Sequence, residues 1–494
     1  MTTAQTDFAG FKPRVAIIGG GLAGLCAAIR FKLAGIDSFT LYEKAERVGG
    51  AWRDNVYPGA GCDVESHLYS FSFEPNPQWS RKFSHQQEIL AYIDRCVEKY
   101  GLAPHIRYQA GVTAANFDDA AGVWHLRIDG EAVPVEVDVV VSASGALSRP
   151  SIPSLSGLDT FTGRVFHSAQ WDHTFELPGK RVAVVGTGAS AIQFIPEIAS
   201  QVGHLAVFQR TPPWIIPKFD RGVGTFEKSV LRLFPVVQKG LRALTYWRRE
   251  AVAFSFITHP KCTWWLRRLA TWHMRRQVKD PVLRSKVTPD YTIGCKRVLI
   301  SNDYYPTLAR PNVEVIGANI DRVVADGIVS VDGRHHRFDA IVFGTGFKVN
   351  DAEPPMEISG VNGLGLGEVW TNGPEAYLGT TTRGLPNFFF VIGPNTGIGH
   401  GSMIFMIESQ VAYILSCLAA LEERGAKHME VRAEVQHDYN AALQRKMKRT
   451  VWMAGCRSWY LDRAGRNPAM WPDFTFKFRR LTRSVRPGDY LFSK

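Results

Sequence analysis

The stretch Arg14–Gly24, RVAIIGGGLAG, decides the fold of this chain of 494 residues. It starts with a short apolar, β-branched run, which predicts a buried strand, and continues with glycines at positions 19, 21 and 24. The next segment, LCAAIRFKLAG, has the apolar spacing of a helix, and SFTLYEK predicts a second strand that ends near Glu43. A strand, a glycine-rich turn, a helix and a strand within about thirty residues predict a dinucleotide-binding βαβ unit.

A second copy of this pattern begins at Arg181–Val185, RVAVV, about 167 residues after the first. GTGASA follows at Gly186–Ala191, then AIQFIPEIAS with helical spacing, then the strand LAVFQR. One glycine motif alone is weak evidence, whereas two in the same strand and helix context are strong evidence. The chain is therefore predicted to be an α/β protein with two Rossmann-like dinucleotide-binding domains and a helical insertion in the second.

The domain boundaries follow from the motifs and from a change in composition. We expect the first domain in two parts, at 1–150 and 376–494, and the second domain in two parts, at 151–217 and 291–375. The intervening 218–290 is rich in Arg, Trp and Leu at helical spacing and forms the predicted insertion. We favour amphipathic helices there whose aromatic face packs inward and whose arginines are solvated. A membrane-surface patch is the alternative, because Trp and Arg together also suit a bilayer surface.

Composition limits the partners. Hydrophobic residues make up 45% of the chain and charged ones 21%, which is ordinary for a globular protein, and the formal net charge is +12. The basic residues are scattered and no nucleic-acid module is recognisable, so we expect no nucleic-acid partner. Part of the positive excess is suited to the phosphates of dinucleotides.

The location of the protein is predicted from its cysteines and its apolar segments. The seven cysteines include no CxxC pair, which indicates reduced thiols, no metal site and a cytoplasmic protein. The N-terminal MTTAQTDFAGFKPR lacks the apolar core of a signal peptide. The longest apolar stretch, at 403–421, is interrupted by Glu408, Ser409 and Gln410, so we expect no membrane span.

The two units differ in ways that predict different nucleotides. In the first, Gly19 allows the turn, Gly21 allows the backbone to approach a pyrophosphate, and Gly24 allows helix and strand to pack closely. Glu43 can accept hydrogen bonds from ribose hydroxyls and would repel a 2′-phosphate. The first unit therefore suits FAD or NAD rather than NADP.

The second unit has Ala191 at the third glycine position and Arg210 at the end of its second strand. A guanidinium suits a 2′-phosphate, so this unit is predicted to bind NADPH. Its predicted contacts are Gly186, Thr187, Gly188, Ala189, Ser190, Arg210 and Thr211. With FAD in the first unit, hydride transfer from NADPH to flavin becomes the first step. Since no cysteine pair offers an electron acceptor, O2 is the natural remaining one.

Upstream of the second unit lies FTGRVFHSAQWD, at Phe161–Asp172. It resembles the fingerprint of type I Baeyer–Villiger monooxygenases, FxGxxxHxxxW followed by Asp or Pro; the related N- and S-oxidising enzymes lack the Trp. The fingerprint residues are Phe161, Gly163, His167, Trp171 and Asp172. The resemblance includes GGAW, YPGAGCDVES, GCKR, GTGF and GPNTGIGHGS, and it is weakest in the helical insertion. It implies that Gly163, His167 and Trp171 couple domain motion to NADP binding; His167 as a catalytic base is the alternative.

The resemblance also implies the chemistry. Arg297, in IGCKRVLIS, matches the arginine that this family uses against a C4a-peroxyflavin. Asp63, in YPGAGCDVES, matches an Asp near the flavin ring, where it would hold the arginine in place and keep it charged. A guanidinium favours the anionic peroxide that attacks a ketone, because an opposite charge nearby lowers a pKa, and it can then stabilise the resulting oxyanion. The expected products are esters or lactones from ketones. Thioethers are expected as further substrates, for sulfoxidation.

Several cofactor contacts are implied in the same way. For FAD they are Gly50, Trp52, Tyr69, Val112 and Met403, besides Asp63 and Arg297; for NADP the further contact is Lys296. A Met at the start of a helix is also common in an ordinary core. One departure concerns Gly61, where many relatives carry Arg, and it puts any contact at that position in doubt.

Two other enzyme classes stay open. An N- or S-oxygenase would use the protonated hydroperoxyflavin, which a cation beside it disfavours. An NADPH-dependent flavin reductase that transfers no oxygen would leave the fingerprint unexplained. A purely binding role is the weakest alternative, because two cofactor sites have little use without redox chemistry.

Overall fold

The computed structural model describes residues 12–349, 356–456, 458–462 and 464–494. Its strands are β1 (Val15–Ile18), β2 (Phe39–Tyr42), β3 (Ile106–Arg107), β4 (Val112–Asp118), β5 (Val123–Ile128), β6 (Val135–Val137), β7 (Val139–Ser142), β8 (Arg164–His167), β9 (Arg181–Val185), β10 (His204–Phe208), β11 (Ile215–Ile216), β12 (Leu299–Ile300), β13 (Val313–Ile316), β14 (Ile320–Val324), β15 (Gly327–Ser330), β16 (His335–Arg337), β17 (Ala340–Phe343), β18 (Glu357–Ser359), β19 (Phe388–Phe390), β20 (His428–Val431) and β21 (Tyr490–Ser493).

The helices are α1 (Leu22–Leu33), α2 (Ala51–Asp54), α3 (Gln86–Lys99), α4 (Ala191–Ile198), α5 (Thr225–Leu233), α6 (Pro235–Ile257), α7 (Trp264–Gln277), α8 (Pro281–Val287), α9 (Tyr304–Leu308), α10 (Leu366–Val369), α11 (Met403–Arg424), α12 (Ala433–Met447) and α13 (Thr475–Leu481). The N-terminal residues 1–11, on which most of the signal-peptide prediction rests, lie outside the described residues.

The first nucleotide-binding unit is a parallel sheet in the order β19-β7-β1-β2-β3. All four residues of β1 and of β7 are buried, as expected for strands covered on both faces. The long helix α11 packs against α1, and both contribute to the large apolar core of this unit. The strand–turn–helix–strand pattern read from Arg14 onward is therefore present as predicted.

The second unit repeats the design in the order β13-β10-β9-β17-β8, again with every neighbouring pair parallel. Its β9, α4 and β10 form the second predicted βαβ pattern, and NVEVI and FDAIVF supply β13 and β17. The fingerprint contributes β8, the edge strand, which pairs with β17. The two Rossmann-like units are confirmed.

A smaller sheet, in the order β18-β4-β5-β6, packs on the first unit. Its strand β18 pairs in parallel with β4, and Ile358 of β18 shares an apolar core with Ile18 of β1. The chain thus already contacts the first unit at β18, ahead of residue 376. The domain boundaries themselves stay a prediction.

The segment predicted as an insertion contains α5, α6, α7 and α8. Its aromatic residues do not all face inward as we expected. Trp247, Trp264 and Trp272 are 57%, 62% and 52% exposed, respectively, while the same helices bury residues such as Ala253 and Met274. The inward-packing interpretation is therefore wrong for these tryptophans.

Among the described residues, one helix is long and apolar enough to cross a membrane, and it is α11. Its apolar window is 72% buried inside the protein. Ile404, Val411, Ile414 and Leu418 all lie on its buried side, in the cores of the fold. Burial of this kind identifies α11 as a core helix of the first unit.

Candidate active site

The glycine turn of the first unit is held by close backbone contacts. Gly19 has φ +107°, which side chains rarely tolerate, and a Cβ there would lie 2.7 Å from the Ala143 oxygen. A Cβ on Gly24 would lie only 1.9 Å from the Gly19 oxygen, so α1 can approach β1 only with glycine at that position. Gly21 precedes α1, and no described side chain caps the helix start. The first amides of α1 therefore remain available to an anionic group such as a pyrophosphate.

Glu43 lies just beyond β2 and is 3% exposed. Its Oε2 accepts a hydrogen bond from the Gly20 amide at 2.8 Å, while Oε1 accepts from the Ala45 amide and from Arg53, at 2.9 and 2.8 Å. Oε2 thus has capacity for one more donor, which a ribose hydroxyl could supply. Binding of FAD ribose by Glu43 stays a prediction.

The other predicted FAD contacts surround this turn. Trp52 Nε1 donates to the Tyr69 hydroxyl at 3.0 Å, so these two side chains act as one polar and aromatic pair. Gly50 precedes α2 and lies against Gly21. Val112 starts β4, and Met403 starts α11 and packs in a separate core beside the cleft described below.

The second unit has the same turn. Gly186 has φ +103°, and its amide donates to the Phe208 carbonyl just as the Gly19 amide donates to that of Tyr42. Thr187 donates through its hydroxyl to the Thr211 carbonyl at 3.3 Å. Gly188, Ala189 and Ser190 lead into α4, whose start likewise has no side-chain cap among the described residues. The free amides suit a second dinucleotide.

Arg210 and Lys296 come close together beside this unit. Burial lowers the pKa of Lys296, and the nearby charge of Arg210 lowers it further. The Lys296 ammonium also lies over the ring of Tyr291, 4.8 Å from its centroid. Two neighbouring cations form a site that favours a doubly charged phosphate, which is the group that distinguishes NADPH from NADH.

The first fingerprint residues pack the edge strand of the second sheet. A Cβ on Gly163 would lie 2.4 Å from the Asp339 oxygen and 2.6 Å from the ring of Phe161, so only glycine fits between them. Phe161 is buried in the core formed with β14 and β17. These contacts anchor the start of β8.

The later fingerprint residues are also engaged in structural contacts. His167 is buried at the end of β8, and its Nδ1 accepts a hydrogen bond from the Ala169 amide at 3.1 Å. Burial lowers the pKa of His167, which leaves the ring neutral near pH 7. Trp171 packs against Phe194 of α4 at 5.2 Å between ring centroids, and Asp172 accepts hydrogen bonds in the turn that follows. Coupling of these residues to domain motion stays a prediction.

Asp63 and Arg297, which are 234 residues apart, form an ion pair between the two units. Nε and Nη2 of Arg297 both donate to Oδ2 of Asp63, at 3.0 and 2.7 Å. The side chains are 35% and 26% exposed for Arg297 and Asp63, respectively, so the pair faces open space on one side. Arg249 of α6 donates to the backbone oxygen of Asp63 at 3.2 Å and so also fixes the main chain of this residue.

The electrostatics of the pair favour two charged groups. Burial alone would raise the pKa of Asp63, but the charge and hydrogen bonds of Arg297 lower it below its ordinary value. The carboxylate in turn raises the pKa of Arg297. The guanidinium is therefore a permanent cation with a fixed orientation.

Sequence reasoning missed three residues of the same cleft. Arg297 and Lys296 line this narrow cleft together with Phe256, Trp452 and Tyr460. Tyr460 is 1% exposed, and burial raises its pKa to about 12, although the charge of Arg297 opposes that shift. Its phenol is thus a neutral donor beside a cation. The segment GCRSWYLD gave no local pattern that placed it opposite Arg297.

A disulfide lies at the edge of this cleft and corrects our expectation of reduced thiols. Cys295 and Cys456 are bonded, with Cα atoms 6.2 Å apart and a sequence separation of 161. The bond ties the GCKR loop, which carries Arg297, to the C-terminal segment that carries Tyr460. The expectation that the chain offers no cysteine pair as an electron acceptor is therefore wrong.

The backbone at Gly61 takes part in a contact between the two units that the sequence did not suggest. Gln193 of α4 accepts a hydrogen bond from the Tyr57 hydroxyl at 2.8 Å and donates to the Gly61 carbonyl at 3.0 Å. A Cβ on Gly61 would lie 3.3 Å from the Ser84 oxygen, which leaves little room. The YPGAG loop thus connects the two units through the Tyr57 hydroxyl and the Gly61 carbonyl.

The comparisons with known proteins agree with this site. A family model described as flavin-binding monooxygenase-like matches residues 12–243. A Baeyer–Villiger monooxygenase of Pseudomonas aeruginosa is 50% identical over 99% of this chain and 93% of its own length. This chain belongs to the Baeyer–Villiger monooxygenases.

Solved structures that contain cofactors are also similar to this chain. An oxidised steroid monooxygenase bound to NADP superimposes with a TM-score of 0.87 at 31% identity, covering 98% of this chain and 99% of that one. OTEMO in complex with FAD and NADP superimposes with a TM-score of 0.88 at 26% identity, covering 98% and 100%. The chain is an FAD-dependent NADPH monooxygenase that acts on a small molecule with O2. The two uncapped helix starts and the paired cations are donor sets that fit these two dinucleotides.

Proposed function

We propose that this Baeyer–Villiger monooxygenase converts ketones into esters or lactones, with Arg297 as the catalytic residue in the cleft. The reaction consumes a ketone, O2, NADPH and a proton, and it yields an ester, water and NADP⁺. NADPH supplies the two electrons, one oxygen atom enters the C–C bond beside the carbonyl, and the other leaves as water. Bound FAD supplies the transfer of these electrons to O2.

The fixed guanidinium is the observation that carries this proposal. Two of the five N–H donors of Arg297 bind Asp63, which leaves three for an oxygen atom in the cleft. A cation held there stabilises the negative charge that develops on a carbonyl oxygen under attack. Asp63 is a positioning residue, because it keeps the guanidinium oriented.

The walls of the cleft suggest the rest of substrate recognition. Tyr460 is neutral and can donate a hydrogen bond to the same carbonyl oxygen. Phe256 and Trp452 are buried apolar side chains that line this cleft, and an apolar lining suits ketones with hydrocarbon or aryl substituents over charged ones. Thioethers of similar shape would be accepted as substrates for sulfoxidation.

The remaining assignments belong to the same proposal. FAD binds the first unit through the Gly19 turn and Glu43, and NADPH binds the second through the Gly186 turn, Arg210 and Lys296. The predicted boundaries divide these two units, and we place the protein in the cytoplasm, where NADPH is available.

The test is product analysis under isotopically labelled oxygen. Holoenzyme with NADPH and a panel of apolar ketones and thioethers under ¹⁸O2 should yield esters or lactones that carry one ¹⁸O atom. Formation of hydrogen peroxide alone across the whole panel would contradict the proposal and favour a flavin reductase. Oxygenated thioethers without any ester would favour an S-oxygenase instead.

A further inference from the structure

Helix α6 faces solvent with its apolar side. The side chains of its exposed face recur every three or four residues, so they lie on one side of the helix. Its apolar members are Val236, Val237, Ala243, Leu244, Trp247, Ala251 and Phe254, and Lys239, Gly240 and Arg248 are exposed among them. A surface helix of a soluble protein normally has the opposite arrangement.

The buried side of α6 is largely polar. Gln238, Thr245, Glu250 and Ser255 are buried there, together with Ala253 and Phe256. Glu250 accepts hydrogen bonds from the amide and hydroxyl of Thr475, and the Ser255 hydroxyl accepts one from α7. Because Glu250 and Ser255 are hydrogen-bonded to other elements inside the protein, the outward apolar face is a stable feature of the fold.

The apolar surface extends beyond α6. Phe226 and Leu233 of α5 and Phe234 at the α5–α6 junction are exposed, and Phe476 of α13 packs against Trp247 at 5.8 Å between ring centroids. Eleven of the twenty-four large apolar side chains that are exposed in the described residues lie between 219 and 272. Such a concentration indicates a surface that contacts an apolar phase or partner.

The same region accounts for about nine of the twelve net positive charges of the protein. Residues 224–277 contain eleven Lys and Arg side chains and two acidic ones, of which Glu250 is buried. A cavity of about 300 Å³ beside α7 is lined by Arg267, Arg275 and Arg284 among others. Arginine clusters of this kind suit phosphate groups.

We propose that this outward face of α5, α6 and α7 docks the enzyme on bilayers that contain anionic lipid. The helices would lie in the plane of the interface, with Trp247, Trp264 and Trp272 at the level of the headgroups and the basic side chains on lipid phosphates. A second copy of the chain fits less well, because a two-fold contact through this face would bring the same positive charges together. This proposal is independent of the oxygenation reaction.

Sedimentation of the FAD-loaded enzyme with lipid vesicles tests the proposal. The enzyme should bind vesicles of phosphatidylcholine mixed with phosphatidylglycerol, bind less to phosphatidylcholine alone, and dissociate as salt is raised. Replacing Leu244 and Trp247 by Gln should reduce binding by about tenfold, since two large apolar anchors are lost. Lys239→Glu should reduce binding to the anionic vesicles only.

Matched controls keep the result specific. Val133→Gln and Val331→Gln remove equally exposed apolar side chains far from the insertion and should leave binding unchanged. In the wild-type enzyme, hydrogen exchange of α6 should slow when anionic vesicles are added, which provides a readout that needs no variant. No vesicle binding, or equal binding by the Leu244/Trp247 variant, would overturn the proposal. The proposal would also be overturned if the wild-type enzyme were a dimer, the Leu244/Trp247 variant a monomer, and neither of them bound vesicles.

Discussion

The two nucleotide-binding units have nearly the same backbone but end their second strands with opposite charges. Gly19 and Gly186 adopt φ +107° and +103°, and each donates its amide to the last residue of the neighbouring strand. Glu43 then follows β2 as a buried acceptor, whereas Arg210 follows β10 as an exposed cation beside Lys296. We propose that the shared turn binds a pyrophosphate in both units and that a single side chain at the strand end selects the nucleotide.

The largest effect is expected when the third glycine of the first motif, Gly24, is replaced by the alanine that the second motif has at this position, Ala191. Gly24→Ala would place a Cβ 1.9 Å from the Gly19 oxygen, so we expect loss of FAD and a loss of about 3 kcal/mol in unfolding free energy. The reverse change in the other unit, Ala191→Gly, removes a methyl group that already fits and is the matched control. Denaturant unfolding and the flavin content of the purified proteins measure both. A Gly24→Ala protein with full FAD and unchanged stability would show that the close approach of α1 is unnecessary.

A smaller effect is expected at the strand end of the second unit. Arg210→Ala should lower kcat/KM for NADPH by about 10- to 100-fold and leave that for NADH nearly unchanged, since one charged hydrogen-bonding partner of the 2′-phosphate is lost. Steady-state kinetics with both nucleotides measures this ratio, and Arg181→Ala, at the opposite end of the unit, serves as control. Equal losses for NADPH and NADH would reject the assignment of the two units.

The smallest effect concerns the ion pair that joins the units. The lowered pKa of Asp63 means that its contribution to stability is present above the ordinary carboxyl value of 3.8 and is lost only as pH falls through the lower folded value. Asp63→Asn should therefore lower stability by the same amount from pH 7 down to about pH 5, with exposed Asp159→Asn as control. Chemical unfolding across this range measures the difference. A difference that fades between pH 7 and pH 5 would mean that the pKa of Asp63 is raised instead.

The regular parts of both units could be predicted because their signals are local. A β-branched run before a glycine turn has few alternatives, so β1, α1, β9 and α4 were evident from the sequence. Asp63 and Arg297 could be proposed as partners only through the family motifs, since nothing in their own segments relates residues 234 positions apart.

Other features depend on tertiary contacts that no local pattern encodes. Periodicity shows that α6 has an apolar face but not whether that face meets the core, and here it meets solvent. The pairing of Cys295 with Cys456 and the placement of Tyr460 both depend on where the C-terminal segment returns to the GCKR loop. Spacing alone suggested dispersed thiols, so the disulfide could not be found from the sequence.

The most direct test of the central role of Arg297 separates electron transfer from oxygen transfer in one variant. In Arg297→Ala, rapid-mixing spectra should show bound FAD reduced by NADPH at close to the wild-type rate, while ester formation under ¹⁸O2 should fall by about a thousandfold because the cation at the reacting oxygen is gone. Lys296→Ala, one residue away, should instead slow the reduction and leave the yield of ester per reduced flavin unchanged. Persistent ester formation in Arg297→Ala, at a rate near that of the wild type, would contradict the account.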